Sequence, residues 1–423
     1  KAGPDYIDPS HHTFVTGNAS RNLDTWMMGE DVCRELFERT AADADISIIE
    51  GVMGLYDGSI DSSGDGSSAH LAKVLNTPVI LVVNVKGAAQ SAGAVVMGFR
   101  EFDKEVNLAG VILNNIASES HYECVKTAIE ESCSVAVLGY LNKDSDITIP
   151  ERHLGLIPSE EKKVSSDLYD KLGQMVIETI DTDRLQEIAG SPGDFPDYNK
   201  SIFINRDSSL EVTLAIARDS AFCFYYQDDI DLFESMGAEI KLFSPLADKS
   251  LPDGIDGIYI GGGFPELFAE RLMKNESMRS SIVEAYKQGA VIYGECGGMM
   301  YLLEKLIDCD GRSFKMSSVH NGTSKMEKRR QGLGYVIVDV ICDTVISRKG
   351  DTFRAHEFHW SGLQDIPEST FFAYNTMKSN GKRTGVDGIC KGNILASYTH
   401  IHFSSNPALA KNMLSSMAER VQI

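Results

Sequence analysis

The residues best suited to chemistry lie in the pentapeptide Gly294-Glu295-Cys296-Gly297-Gly298. A nucleophilic thiol has to stand clear of a sheet, at the carboxyl end of a strand, and the sharp strand-to-helix turn that achieves this needs small neighbours. Glycines flank Cys296 on both sides. A helix starting there would aim backbone N–H groups and its positive end at the sulfur, favouring thiolate. The competing interpretation is a buried structural cysteine, and Cys223, Cys309 and Cys342 read that way. Upstream, Gly261-Gly262-Gly263-Phe264-Pro265-Glu266 also follows an apolar run. Such a loop lets backbone N–H groups approach a ligand oxygen, so Gly262, Gly263 and the N–H of Gly297 form a candidate oxyanion hole. A phosphate loop or a plain tight turn is the alternative. A thiolate attacking an amide needs a base that later protonates the leaving amine. The candidates are His356 and His359 in one cluster, and His400 and His402 in another. The latter follows the short strand Leu395–Tyr398, and the two-residue spacing predicts both rings on one strand face, one as base and one as neighbour. A metal site built from the same four histidines lacks an evident Cys or Asp partner.

A second group opens the chain. Lys1-Ala2-Gly3-Pro4-Asp5-Tyr6-Ile7-Asp8-Pro9 carries two carboxylates three apart between turn signals, and Glu50 stands at the end of the apolar run Ile46–Ile49. A carboxylate there, followed by small residues, suits a Mg²⁺ shared with a nucleotide. A helix N-terminal charge or a solvated loop acid would produce the same pattern.

Elements that could hold these residues follow from periodicity. Ile46–Ile49, Val79–Val83, Val111–Leu113 and Ala136–Leu138 read as buried strands, with amphipathic stretches such as His121–Ser132 between them. Strand, helix, strand at this spacing predicts a parallel sheet covered on both faces. The Gly/Pro/Asp clusters around Gly190–Gly193 and Asp194–Asp197 mark a break, so the domains are expected at 1–182 and 201–423, with a linker at 183–200. Alternation restarts with Leu214–Ala217, Ile240–Phe243, Ile258–Ile260 and Ala290–Tyr293, and the pattern turns hairpin-like from Gly332. A second α/β domain with an antiparallel extension is expected.

The 423 residues carry a net charge of −21, which argues against a nucleic-acid partner. No apolar run approaches the length of a membrane span. The eight cysteines are scattered without a CxxC pair, which disfavours a disulfide framework and fits a reducing cytoplasm. The oligomeric state stays open, with a homodimer among the options.

GGGFPE, then GECGG, then YTHIH, in this order, resembles the class I glutamine amidotransferase domain of the cobyrinate a,c-diamide synthase family. The resemblance implies that Cys296 is the nucleophile on the glutamine carboxamide and His400 its base. Most class I glutaminases complete a triad with His-x-Glu; here Ile401 and His402 follow His400, which leaves its orienting group open. The opening stretch and Glu50–Gly58 resemble the family's synthetase domain, a P-loop parallel-sheet fold similar to dethiobiotin synthetase. By that resemblance Lys1, Asp5, Asp8 and Glu50 line a nucleotide and Mg²⁺ site, Asp5 and Glu50 holding the metal. Asn114 faces the nucleotide base and Asp57 lies near the substrate carboxylate. Ile149–Leu156 and Arg354–Ser361 also look family-like, without assigned roles.

The family's G-x-x-x-x-G-K-[ST] phosphate loop occurs nowhere in the sequence. Roughly 40 residues, one strand-loop-helix unit, are expected to precede Lys1. The implied substrates are ATP, glutamine and a tetrapyrrole polycarboxylate, with the a and c acetates of cobyrinate amidated. Ni-sirohydrochlorin, in coenzyme F430 assembly, is the second choice and the cobyric acid synthase reaction the third. A different class of reading is a free glutaminase or binding protein without synthetase activity.

Overall fold

A computed structural model describes residues 1–59, 65–143, 147, 149–152, 155–161, 165–191, 193, 195–199, 202–203 and 210–421. In the first part, Val79–Asn84, Leu108–Ile116 and Val137–Asn142 form a three-stranded parallel sheet in that order. Branched apolar side chains make these runs strand formers. Helices Ser91–Phe102 and Glu119–Cys133 pack on the sheet, bringing Val96, Val125 and Ile129 against Val111 and Leu113. The Ser118 hydroxyl caps the second helix by accepting from the His121 N–H at 3.2 Å.

Ile46–Ile49 does not form the expected buried strand. It has no ladder partner among the described residues, and Ile48 is 89% exposed. A strand forms only where another strand satisfies its backbone groups, and Val79–Asn84 pairs only with Leu108–Ile116 among the described strands. The segment still lands where it matters, because Ala2 N–H donates to the Glu50 carbonyl at 2.8 Å. The stretch read as a linker opens with all but the first residue of a helix, Thr182–Ala189, capped by Asp181; Pro192 and Asp194, part of its turn signal, lie outside the described residues, as do His153 and Leu154 of the family-like stretch.

The second part is built on a nine-stranded mixed sheet. Ile394–Ser397, Val291–Glu295, Gly257–Ile260, Val212–Ala217 and Ala238–Phe243 are parallel neighbours in that order. Arg383–Lys391, Phe371–Met377, Gly332–Val340 and Thr352–His359 extend it antiparallel. The three central parallel strands are buried along almost their whole length, as strands covered on both faces must be. One apolar core lies on each face: Tyr259, Tyr293, Phe403 and Met413 on one, Ile260, Ile292, Met299 and Leu302 on the other. All eight cysteines are free. Cys223 is buried as expected, but Cys309 is exposed and Cys342 half-buried; Cys309 occupies the turn that reverses the chain between the strands Lys305–Ile307 and Ser313–Lys315.

The two parts are joined by specific contacts. Arg21 Nη1 lies 2.5 Å from Asp228 Oδ1 and 2.7 Å from Asp231 Oδ2. The Tyr335 hydroxyl donates to Asp24 Oδ2 at 2.8 Å, and its ring stacks on Trp26 with centroids 4.4 Å apart.

Candidate active site

The strand Val291–Glu295 is buried throughout and hands the chain to a helix at Gly297–Leu302. Cys296 sits at the joint with φ +50° and ψ −103°, a strained backbone conformation for a side-chain-bearing residue. Two bonds hold it there: Cys296 N–H donates to the Ser397 carbonyl at 2.7 Å, and Met300 N–H to the Cys296 carbonyl at 3.1 Å. The flanking glycines leave room that a side chain would fill, and at Gly298 the obstacle is backbone. A Cβ on Gly298 would lie 1.9 Å from the Ile260 carbonyl oxygen, and one on Gly294 would lie 2.4 Å from Leu302 Cδ1. Gly262, Gly263 and Gly297 gather around the same point. A Cβ on Gly262 would meet His400 Cε1 at 2.8 Å, and one on Gly297 would meet the Gly263 nitrogen at 3.1 Å.

His400 and His402 part company, contrary to a shared strand face. The strand ends at Ser397, because the Asp387 carboxylate accepts from the Tyr398 and Thr399 N–H groups at 3.1 and 3.0 Å and turns the chain. His400 then exchanges two backbone hydrogen bonds with His356, and it lines the same cavity as Cys296. Its Nδ1 lies 2.9 Å from Glu295 Oε1. A carboxylate only accepts, so Nδ1 is assigned the proton and Nε2 is left for the thiol. His402 instead stacks on Tyr226 and lies 3.2 Å from Asp229 Oδ1. Burial drives its pKa down to about 3, which leaves it neutral. Burial would do the same to His400, but the Cys296 sulfur and Glu295 overturn it and raise the pKa to about 10. His356 lines the neighbouring cavity, and His359 stacks flat on Tyr398 at 3.8 Å.

Glu295 is the residue that sequence reasoning missed. It is 1% exposed, and its Oε2 accepts from the hydroxyls of Tyr293 at 2.9 Å and Tyr259 at 3.4 Å and from Ile401 N–H at 3.3 Å. A buried carboxylate satisfied this way is held in one orientation. The available signal was a charged residue ending an otherwise apolar, fully buried strand.

On the other side, Lys1, Asp5, Asp8 and Glu50 come together. Lys1 Nζ lies 2.6 Å from Asp8 Oδ2, 3.2 Å from Glu50 Oε1 and 3.5 Å from Asp5 Oδ2, and donates to the Gly51 carbonyl at 3.0 Å. His12, also missed, places Nε2 2.6 Å from Glu50 Oε2. The His12 hydrogen bond and Lys1 hold the Glu50 carboxyl down at about 2. Burial and the adjacent Asp8 push Asp5 up. Among the described residues no three His, Cys, Asp or Glu side chains form a metal cage of their own. Mg²⁺ rarely uses one: it takes one or two carboxylates together with substrate phosphates. Three carboxylates converging on one ammonium fit that chemistry. Asn114 stands at the carboxyl end of Leu108–Ile116, accepting from Asn115 N–H at 2.8 Å. Asp57 accepts from Gly54 N–H at 3.0 Å and faces the cavity.

A single cavity of about 1150 Å³ connects the two groups. Asp5, Asp8 and Asp57 line it together with Cys296 and His400. Its wall is largely apolar and aromatic, including Tyr56, Tyr335, Phe358 and Trp360, and Lys378 and Lys382 stand at one side.

Comparison with known proteins agrees with this division. The model of the CobB/CobQ-like glutamine amidotransferase domain matches residues 213–408, and that of an AAA domain matches residues 2–151. The chain is 44% identical to a cobyrinate a,c-diamide synthase of Listeria monocytogenes, over 99% of this chain and 92% of that one. It is 42% identical to those of Caldanaerobacter subterraneus subsp. tengcongensis (95% and 87% covered) and Methanothermobacter thermautotrophicus (97% and 91% covered). With identity of this order running through both parts and almost end to end, the chain belongs to the cobyrinate a,c-diamide synthase family.

Proposed function

We propose that this protein amidates the a and c acetate carboxylates of cobyrinate in the cytoplasm, using glutamine as nitrogen donor and ATP as activator. The observation that carries the reading is the shared cavity: Cys296 and His400 open into the same large, mostly apolar space as Asp5, Asp8 and Asp57. A flat macrocycle fringed with carboxylates suits an aromatic wall flanked by Lys378 and Lys382.

In the glutaminase step the Cys296 thiolate attacks the carboxamide carbon, and backbone N–H groups near Gly262, Gly263 and Gly297 receive the developing oxyanion. His400, charged and held by Glu295, protonates the leaving nitrogen, so ammonia departs and a glutamyl thioester remains for water to hydrolyse. In the synthetase step the acetate carboxylate takes the γ-phosphoryl group of ATP, and ammonia displaces phosphate from the resulting acyl phosphate to give the amide. Asp5 and Glu50 would hold Mg²⁺, which supplies charge neutralisation at the transferring phosphoryl group when bound. Lys1 brings a further positive charge to that side, and Asp57 faces the acceptor.

The test is an amidation assay on the full chain with cobyrinate and Ni-sirohydrochlorin side by side, following the loss of about 1 Da per amide by mass spectrometry, with and without ATP. Two ATP-dependent amidations of cobyrinate support the reading. Turnover of Ni-sirohydrochlorin alone reassigns the acceptor, and glutamine hydrolysis without ATP use or amidation of either acceptor refutes the synthetase.

A further inference from the structure

Tyr6 lies between Asp5 and Asp8 in sequence, yet its side chain enters the other half of the molecule. Its ring stacks on Phe224 (centroids 4.9 Å apart, 9° between planes), packs on Tyr226 at 4.6 Å, and leans on His400 at 5.3 Å. Its hydroxyl oxygen is 3.3 Å from His400 Nδ1. The Nδ1 proton already serves Glu295 at 2.9 Å, so the phenol oxygen accepts the longer arm of a forked bond. Tyr6 therefore acts mainly as a wall beside the imidazole.

The backbone carrying that wall is fastened on both sides. Asp5 Oδ1 accepts from the Ile7 and Asp8 N–H groups at 2.8 and 3.2 Å. Asn22 Nδ2 donates to the Gly3 and Asp5 carbonyls at 2.8 and 2.7 Å. Both neighbouring carboxylates rest on Lys1. Asp5 and Asp8 are thus tied, through these bonds and through Lys1, to the backbone that carries Tyr6.

We propose that Tyr6 is a positioning residue for His400, carried by the acidic loop, and that through it the arrangement of Asp5 and Asp8 sets the rate of glutamine hydrolysis. The glutaminase is incomplete without a side chain from the synthetase half. This rests on the reading of Cys296 and His400 as the glutaminase pair.

The experiment is a double-mutant cycle on the full chain without nucleotide. It measures kcat and KM for glutamine hydrolysis and the rate at which iodoacetamide alkylates Cys296, located by peptide mass spectrometry. Tyr6→Ala should lower kcat about 10- to 100-fold, the cost of a misplaced base. KM should stay within about twofold and alkylation should slow, because glutamine binding is untouched and thiolate is not. Tyr6→Phe, which keeps the wall, should stay within about threefold of wild type. Asp8→Asn should lower kcat in the wild-type background and have no further effect in Tyr6→Ala. Should Tyr6→Ala melt early, Tyr6→Leu takes its place in the same cycle. Unchanged kcat and alkylation in the Tyr6 variant overturn the positioning role, and additive Asp8 and Tyr6 effects overturn the coupling. Absence of glutamine hydrolysis in the wild-type chain overturns the underlying reading instead, so the two failures are told apart.

Discussion

Glu295→Gln isolates the group that holds His400. The substitution keeps volume and removes one charge from a pair whose members are 1% and 2% exposed and 2.9 Å apart. An opposite charge at that distance shifts a pKa by about 1–3 units, or about 1.4–4 kcal/mol. Because the pair is buried, solvent screening does not reduce this. The same energy stabilises the imidazolium that must stand beside the thiolate, so kcat for glutamine hydrolysis should fall about 10- to 1000-fold. The glutamine amide can also donate to Nδ1 and so favour the wrong tautomer, as the Asp-to-Asn change does in serine proteases at a cost of about 10⁴, which adds to the loss. The pH profile gives an independent sign. His400 is raised to about 10, so its protonated form, and with it the ion pair, persists up to that pH and is lost above it. Removing Glu295 lowers that pKa, and the alkaline limb of kcat/KM should move to lower pH by the same 1–3 units. Glutamate release in buffers spanning pH 6–11 reads both quantities. A variant with kcat within twofold of wild type and an unmoved alkaline limb would refute the assignment of Glu295 as the orienting carboxylate.

Three further outcomes follow from the geometry. Cys296→Ser should abolish glutamine-dependent amidation and spare amidation with free ammonia; loss of both would contradict two separable chemistries. Glu50→Gln should block amidation from either nitrogen source, because it removes a carboxylate from the Lys1 cluster; surviving ammonia-dependent product would take Glu50 out of the phosphoryl-transfer site. Gly298→Ala forces a methyl to within 1.9 Å of a backbone oxygen, which no side-chain motion relieves. It should cost about 1–3 kcal/mol or more, and a thermal melt unchanged from wild type would show that the elbow is not sterically closed.

The elbow was legible because its demands are local. The clashes awaiting a Cβ at Gly294 and Gly298 come from Leu302 and Ile260, outside the pentapeptide, but the glycines that answer them stand within five consecutive residues. The parallel strands were legible for the same reason, since branched apolar runs between amphipathic ones admit few arrangements. Glu295 was not, because its partners Tyr259, Ile401 and His400 arrive from two other segments. The choice between His400 and His402 likewise depended on Asp387, more than ten residues upstream, ending the strand. Ile46–Ile49 failed for the opposite reason: its composition is that of a strand, but pairing is a property of the neighbour. Tyr6 read as part of a turn, and nothing in the order Asp-Tyr-Ile-Asp says that the ring crosses to the other half.

The common cavity alters how ammonia capture has to be counted. One molecule confined to about 1150 Å³ is at an effective concentration of ~1.4 M, far above any free pool the acceptor would otherwise meet. In the proposed reaction, released nitrogen would be a local reagent in a race between the acyl phosphate and the open mouth. A narrow conduit is unnecessary if the macrocycle itself stoppers that mouth. The ratio of glutamate formed to amide formed becomes a gauge of how completely the acceptor fills the space, rising as smaller tetrapyrroles are offered and falling towards one for a ligand that fits.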